Sequence, residues 1–234
     1  FINGSSAGSS ITLSSGFSGG DTVECTVTPN DGAADGTPVT ASSTIENTLP
    51  TALDITISPD PAYVTDSLSC SYTFDDADGD SDASAMEWFI DGASAGSGST
   101  LISGFVKGQE VECTVTPNDG IANGTPDSGS VTIANTPPVA SGVSIAPSAP
   151  TVSDTLMCSY AFFDADGDAD ESTIAWTDAS GTSLGAGPSL SGAFSDGDVI
   201  TCTVTPTDDE DSGSPLSADV TIGNSAPSVS NVSI

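Results

Sequence analysis

The chain has 234 residues, 36% of them hydrophobic, and carries 33 acidic side chains against one basic residue and no histidine, a formal net charge of −32. Such a surface excludes nucleic acid and anionic membranes as electrostatic partners, since both are bound through Lys and Arg, and no run is long and apolar enough to span a bilayer. Disorder is excluded too, because disordered acidic chains lack bulky apolar residues, and here these alternate regularly.

Residues 1–47 read as the C-terminal half of a repeat. Phe1-Ile2-Asn3-Gly4 returns 88 positions later as Phe89-Ile90-Asp91-Gly92, and the run from Val23 to Gly32 returns as Val111 to Gly120. By this register the partner of Cys25 would precede Phe1, so the chain is expected to be an excerpt of a longer polypeptide. Residues 48–135 form a complete copy. Strands are expected at Ala52–Ile57, Ser67–Phe74, Ala85–Ile90, near Thr100–Ile102, at Glu110–Thr116 and at Ser130–Ile133. The segments around Cys70 and Cys113 alternate apolar and polar residues with period two, the pattern of a half-buried strand. Residues 136–224 repeat the pattern, with Cys70, Asp76, Asp78, Asp80 and Trp88 returning as Cys158, Asp164, Asp166, Asp168 and Trp176. One inserted residue then maps Cys113 onto Cys202. Residues 225–234 read as the first strand of a further copy. Turn-forming Gly, Pro, Ser and Asn-Asp punctuate the chain, no segment keeps a helical period, and a fixed period of this length signals an array of small domains. The fold class is all-β.

The pairs Cys70/Cys113 and Cys158/Cys202 lie 43 and 44 positions apart, and each tryptophan falls 18 residues after the first cysteine of its pair. This spacing resembles the immunoglobulin fold, in which a disulfide joins the second and sixth strands and a tryptophan packs on it. The tyrosine expected two residues before the second cysteine is Val23, Val111 and Ile200 instead. With the linker Asn135-Thr136-Pro137-Pro138 and the loop Asp76-Ala77-Asp78-Gly79-Asp80, the chain looks more like the tandem Ig-like and cadherin-like repeats of bacterial and archaeal surface proteins. The resemblance implies tandem Ig-like β-sandwiches in a linear array, with Cys70 bonded to Cys113 and Cys158 to Cys202. Buried free cysteine is the alternative.

The acidic loops carry the strongest chemical signal. Carboxylates at Asp76, Asp78 and Asp80, and at Asp164, Asp166 and Asp168, can converge on a hard cation such as Ca²⁺, which takes six to eight oxygens. An EF-hand is a poor match, because Gly79 comes too early and the position-twelve acid is Glu87 in one copy and Ala175 in the other. A solvated acidic turn is the alternative. In an Ig-like sandwich the turns at Asn118-Asp119 and Asp208-Asp209-Glu210 share an end with these loops, and Asn47 and Asn135 of the linkers could add oxygens. Glycosylation sequons occur at Asn3, Asn123 and Asn231. Gly16-Phe17-Ser18-Gly19-Gly20 has the form of a nucleophile elbow, but no histidine can serve as its base, and its counterpart Gly104-Phe105-Val106-Lys107-Gly108 has no serine. Catalysis is not expected. The expected role is a structural segment of an extracellular surface protein whose partners are neighbouring repeats of one long chain, with lateral association into a filament a further step. An adhesin or carbohydrate-binding module, or a spacer in a secreted enzyme, are the alternatives.

Overall fold

The computed structural model describes residues 1–192, 194–227 and 229; the expected strand at 225–234 falls largely outside them. Sixteen strands and no helix are formed among the described residues. In chain order they are β1 (Thr22–Val27), β2 (Val39–Thr44), β3 (Thr51–Ser58), β4 (Leu68–Asp75), β5 (Ala85–Ile90), β6 (Ala93–Ser97), β7 (Thr100–Leu101), β8 (Glu110–Thr116) and β9 (Asp127–Thr132), followed by β10 (Val139–Ala146), β11 (Leu156–Phe163), β12 (Thr173–Asp178), β13 (Ser183–Ala186), β14 (Ser189–Leu190), β15 (Val199–Thr205) and β16 (Leu216–Thr221). All pairings between these strands are antiparallel.

Two compact units are resolved. The first comprises residues 1–62, 66–105 and 109–132; the second takes in 63–65, 106–108 and the described residues from Ile133 onward. Within the first, β1 pairs with β2 in continuous register, and Ile2 bridges to Val23. A three-stranded sheet β3-β4-β7 then covers a four-stranded sheet β6-β5-β8-β9. Alternation places Leu68 and Cys70 of β4, and Val111, Cys113 and Val115 of β8, on inward faces, where all are buried. Trp88 stands opposite Cys113 in the β5–β8 register, is fully buried, and donates its indole N–H to the Gly98 carbonyl at 2.8 Å. The disulfide Cys70–Cys113 joins the two sheets with a Cα–Cα distance of 6.3 Å.

The second unit repeats this arrangement, with sheet β10-β11-β14 against β13-β12-β15-β16. Its core gathers Leu156, Trp176, Leu190, Ile200, Val204, Val220 and Ile222 around the disulfide Cys158–Cys202. Trp176 donates to the Gly187 carbonyl at 2.9 Å. Tandem Ig-like β-sandwiches are thus the architecture. Cys25 lies exposed on β1 without a disulfide.

The expected strands at 85–90 and 110–116 coincide with β5 and β8. Two features were not expected. The Ala/Gly/Ser stretch after each tryptophan forms an edge strand, β6 or β13, although it has no apolar alternation, because its backbone completes the ladder of β5 or β12. The last strand of the first sandwich begins at Asp127, three residues before its expected start.

Candidate metal centres

Each acidic loop begins where the inward alternation of a strand stops. After β4, Asp76 Oδ1 accepts the backbone N–H groups of Asp78 and Asp80, both at 3.0 Å. Gly79 adopts φ +78°, a left-handed conformation that an L side chain rarely takes. The loop therefore curls back on the Asp76 carboxylate. Its other oxygen, Oδ2, is buried and accepts no hydrogen bond, and the same holds for Asp80 Oδ2. Carboxylate oxygens of Asp76, Asp78 and Asp80 lie within 4.8 Å of one another.

Two further segments close this first centre. In the turn after β8, Asp119 is 5% exposed; its Oδ1 accepts the N–H groups of Ile121 and Ala122 at 2.7 and 2.6 Å. Asn47 donates its amide to Asp119 Oδ2 at 2.7 Å, and the Thr48 N–H donates to Asp78 Oδ2 at 2.6 Å. The Asn47 amide oxygen is left buried with no donor. Gly19 is pressed against the same group: a Cβ there would stand 2.7 Å from both Asn47 Oδ1 and Asp78 Oδ2. Burial, followed by the charges of Asp76, Asp119, Asp78 and Asp21, raises the Asp80 carboxyl above its ordinary value. Hydrogen bonds from Asn47 and the backbone hold Asp119 below its own. No lysine or arginine belongs to this unit.

The second centre repeats the scaffold. Asp164 Oδ1 accepts the N–H groups of Asp166 and Asp168 at 2.8 and 3.0 Å, and Thr136 donates its N–H to Asp166 Oδ2 at 2.6 Å. Asn135, 9% exposed, donates to Asp208 and Asp211, both at 3.1 Å. Asn135 Oδ1, Asp164 Oδ2 and Asp166 Oδ1 are buried without a hydrogen bond. The convergent carboxylates are Asp164, Asp168 and Asp208, so Asp208 joins two of the three expected aspartates, while Asp166 holds the linker backbone. Asp208, 2% exposed, is pushed up by burial, but hydrogen bonds from Asp211, Asn135 and Glu210 outweigh this and lower it. Lys107 sits here as well, its ammonium 2.6 Å from Asp168 Oδ2 and 2.8 Å from Glu210 Oε1. Those hydrogen bonds keep it protonated well above its ordinary range.

The donor set fits a hard divalent cation. Every convergent group is an oxygen, several are buried without hydrogen bonds, and neither imidazole nor thiolate is near enough to favour a softer metal. Glu87, the acid at the position an EF-hand would use, accepts a hydrogen bond from Ser94 between β5 and β6. At the sequons, Asn3 is exposed with both ends of its amide engaged, by Asp21 and the Thr22 N–H. Exposed Asn123 accepts from Asn118. Asn231 lies outside the described residues.

No family model matches the chain, and no curated protein matches it. Among solved structures it is similar to a two-domain fibronectin type III segment of chicken tenascin, at 11% identity and TM-score 0.42, over 73% of this chain and 98% of that one. A crystal structure of the eight N-terminal Ig domains of Down syndrome cell adhesion molecule matches at 15% identity and TM-score 0.42, over 88% of this chain and 28% of that one. A Ca²⁺-stabilized adhesin with which an Antarctic bacterium binds ice matches at 17% identity and TM-score 0.34, over 87% of this chain and 57% of that one.

Proposed function

We propose that this chain is a structural segment of an extracellular surface protein, a rod of disulfide-stapled Ig-like repeats of the cadherin-like kind, stiffened by Ca²⁺ at its acidic loops. The repeats would be residues 48–135 and 136–224, flanked by parts of others. One observation carries the reading. Carboxylate and amide oxygens are buried without hydrogen bonds at two equivalent positions in both copies, Asn47 and Asn135 and then Asp76 and Asp164, joined by Asp80 in the first loop and Asp166 in the second. An oxygen of that kind is costly unless something positive faces it, and a divalent cation satisfies several at once.

Bound there, Ca²⁺ supplies charge neutralisation rather than chemistry. In the first centre Asp76, Asp78, Asp80 and Asn47 would hold it, with Asp119 orienting Asn47. The linker, the loop after β4 and the turn after β8 would then act as one piece. The two disulfides support an oxidising, extracellular location, and both tryptophans are consumed by the cores rather than offered to a ligand. The reading is non-enzymatic, and lateral association of rods into a filament is its extension.

Calcium titration calorimetry, thermal melting and small-angle scattering on the 234-residue chain test the proposal. At a hundredfold excess of free calcium over Kd, stability should rise by about 2.7 kcal/mol, and chelation should change the maximum dimension. An unchanged melting temperature together with an unchanged maximum dimension refutes it.

A further inference from the structure

Resting on the metal reading, the repeat register isolates one difference between the two centres. Asn47, Asp76, Asp78, Asp80 and Asp119 correspond to Asn135, Asp164, Asp166, Asp168 and Asp208, so the scaffold is the same. Several other positions change, among them Gly19 to Lys107, Asp21 to Gln109, Gly120 to Asp209, Ile121 to Glu210 and Ala122 to Asp211. Two of the new residues find one another. Lys107 bonds Asp168 and Glu210, and Asp211 accepts from Asn135. Asp80 Oδ2 accepts no hydrogen bond in the first centre, whereas its counterpart Asp168 Oδ2 takes the ammonium. The chain has one basic residue among 234, and it stands here, with a carboxylate added beside it where the other copy has an exposed isoleucine.

We infer that Lys107 is a built-in counter-ion that partly offsets the charge of the second centre and occupies Asp168 Oδ2 in the absence of metal, so that the two centres bind divalent cations with graded affinity. The first depends on the cation. The second is held together by its own ammonium, and a cation that takes Asp168 Oδ2 has to displace it. An array built this way keeps one centre ordered when calcium is scarce and loses order first at the centre that has glycine in place of lysine.

Two variants separate this role from packing: Lys107→Gly, which installs the first copy's residue, and Lys107→Met, which keeps the stem and removes the charge. Calcium titration of the wild-type chain should resolve a tight and a weak site, and both variants should tighten the weak one on the order of tenfold, the weight of two partly exposed ion pairs. Hydrogen exchange in chelator, read on β11 and β15, should show lost protection in both variants and none on β4 and β8. Two equal wild-type sites, or exchange in Lys107→Met indistinguishable from wild type, overturn the inference. If no calcium binds to any form while both variants still lose protection on β11 and β15 in chelator, the metal reading falls and the counter-ion role of Lys107 stands.

Discussion

Replacing Cys70 by Ala and Cys113 by Val removes the bond between β4 and β8 while leaving each site apolar. The bond spans 43 positions, and loop-closure entropy for a ring of that size is worth about 4 kcal/mol. Cys113 is fully buried and Cys70 nearly so, which leaves little room for relaxation to offset the loss. With a urea dependence of about 1–2 kcal/mol per molar for a domain of this size, the midpoint of the first sandwich should fall by roughly 2–4 M. Trp88 and Trp176 report one sandwich each, so tryptophan fluorescence across a urea series in excess calcium should split into two transitions, the second unmoved. A common transition shifted by less than about 0.5 M would mean that the bond constrains neither state, and the reasoning would fail.

Gly124 and Gly213 lie against the carbonyl oxygens of Pro50 and Pro138, where a Cβ would overlap backbone. Gly213→Ala should lower stability by roughly 3 kcal/mol in a thermal melt, whereas Gly192→Ala, with nothing within 4 Å, should be near neutral; equal effects refute the steric argument. Acid sensitivity should appear at Asp154, held below its ordinary value by the backbone and hydroxyl of Thr151, and at Asp178, held down by the Ser180 hydroxyl and the Thr182 N–H. A carboxylate depressed in the folded state contributes stability fully above its unfolded value and loses it as pH falls through the folded value. The melting deficit of Asp154→Asn or Asp178→Asn, measured in chelator, should therefore be constant from pH 7 to about 5 and shrink below about 4. A deficit that grows on acidification reverses the sign and refutes it.

The sandwich core could be read from the chain because its determinants are local and periodic. Leu68, Cys70, Val111, Cys113 and Val115 point inward by simple alternation, and the cysteine–tryptophan spacing supplied the register between strands. Edge strands β6 and β13 left no such trace: Ala93-Ser94-Ala95-Gly96-Ser97 is held by main-chain bonds to β5, which any sequence can make. At the centres, Asp76 and Asp80 announce themselves by repetition, and Gly79 by the bend it permits. The Ig-like resemblance brings the turns of Asp119 and Asp208 to the end that carries these loops and the linker asparagines, whereas their near-complete burial and their bonds to Asn47 and Asn135 come only with the tertiary fold. Lys107 was visible merely as an oddity in a slot occupied elsewhere by Gly19; its partners are 61 and 103 positions away.

Similar domains tethered in one polypeptide meet at high local concentration, where each could lend a strand to its neighbour's sheet and become entangled during folding. The short outer strands discourage this. β6 and β13 each pass through an irregular register against their partner, between Trp88 and Phe89 and between Trp176 and Thr177. Within β6, Gly96 takes φ +137°, a conformation an L side chain rarely adopts. A foreign strand arriving there meets a broken row of donors and acceptors rather than a template. The glycine and serine that made these segments unreadable as strands thus help a repetitive protein to fold each copy on itself.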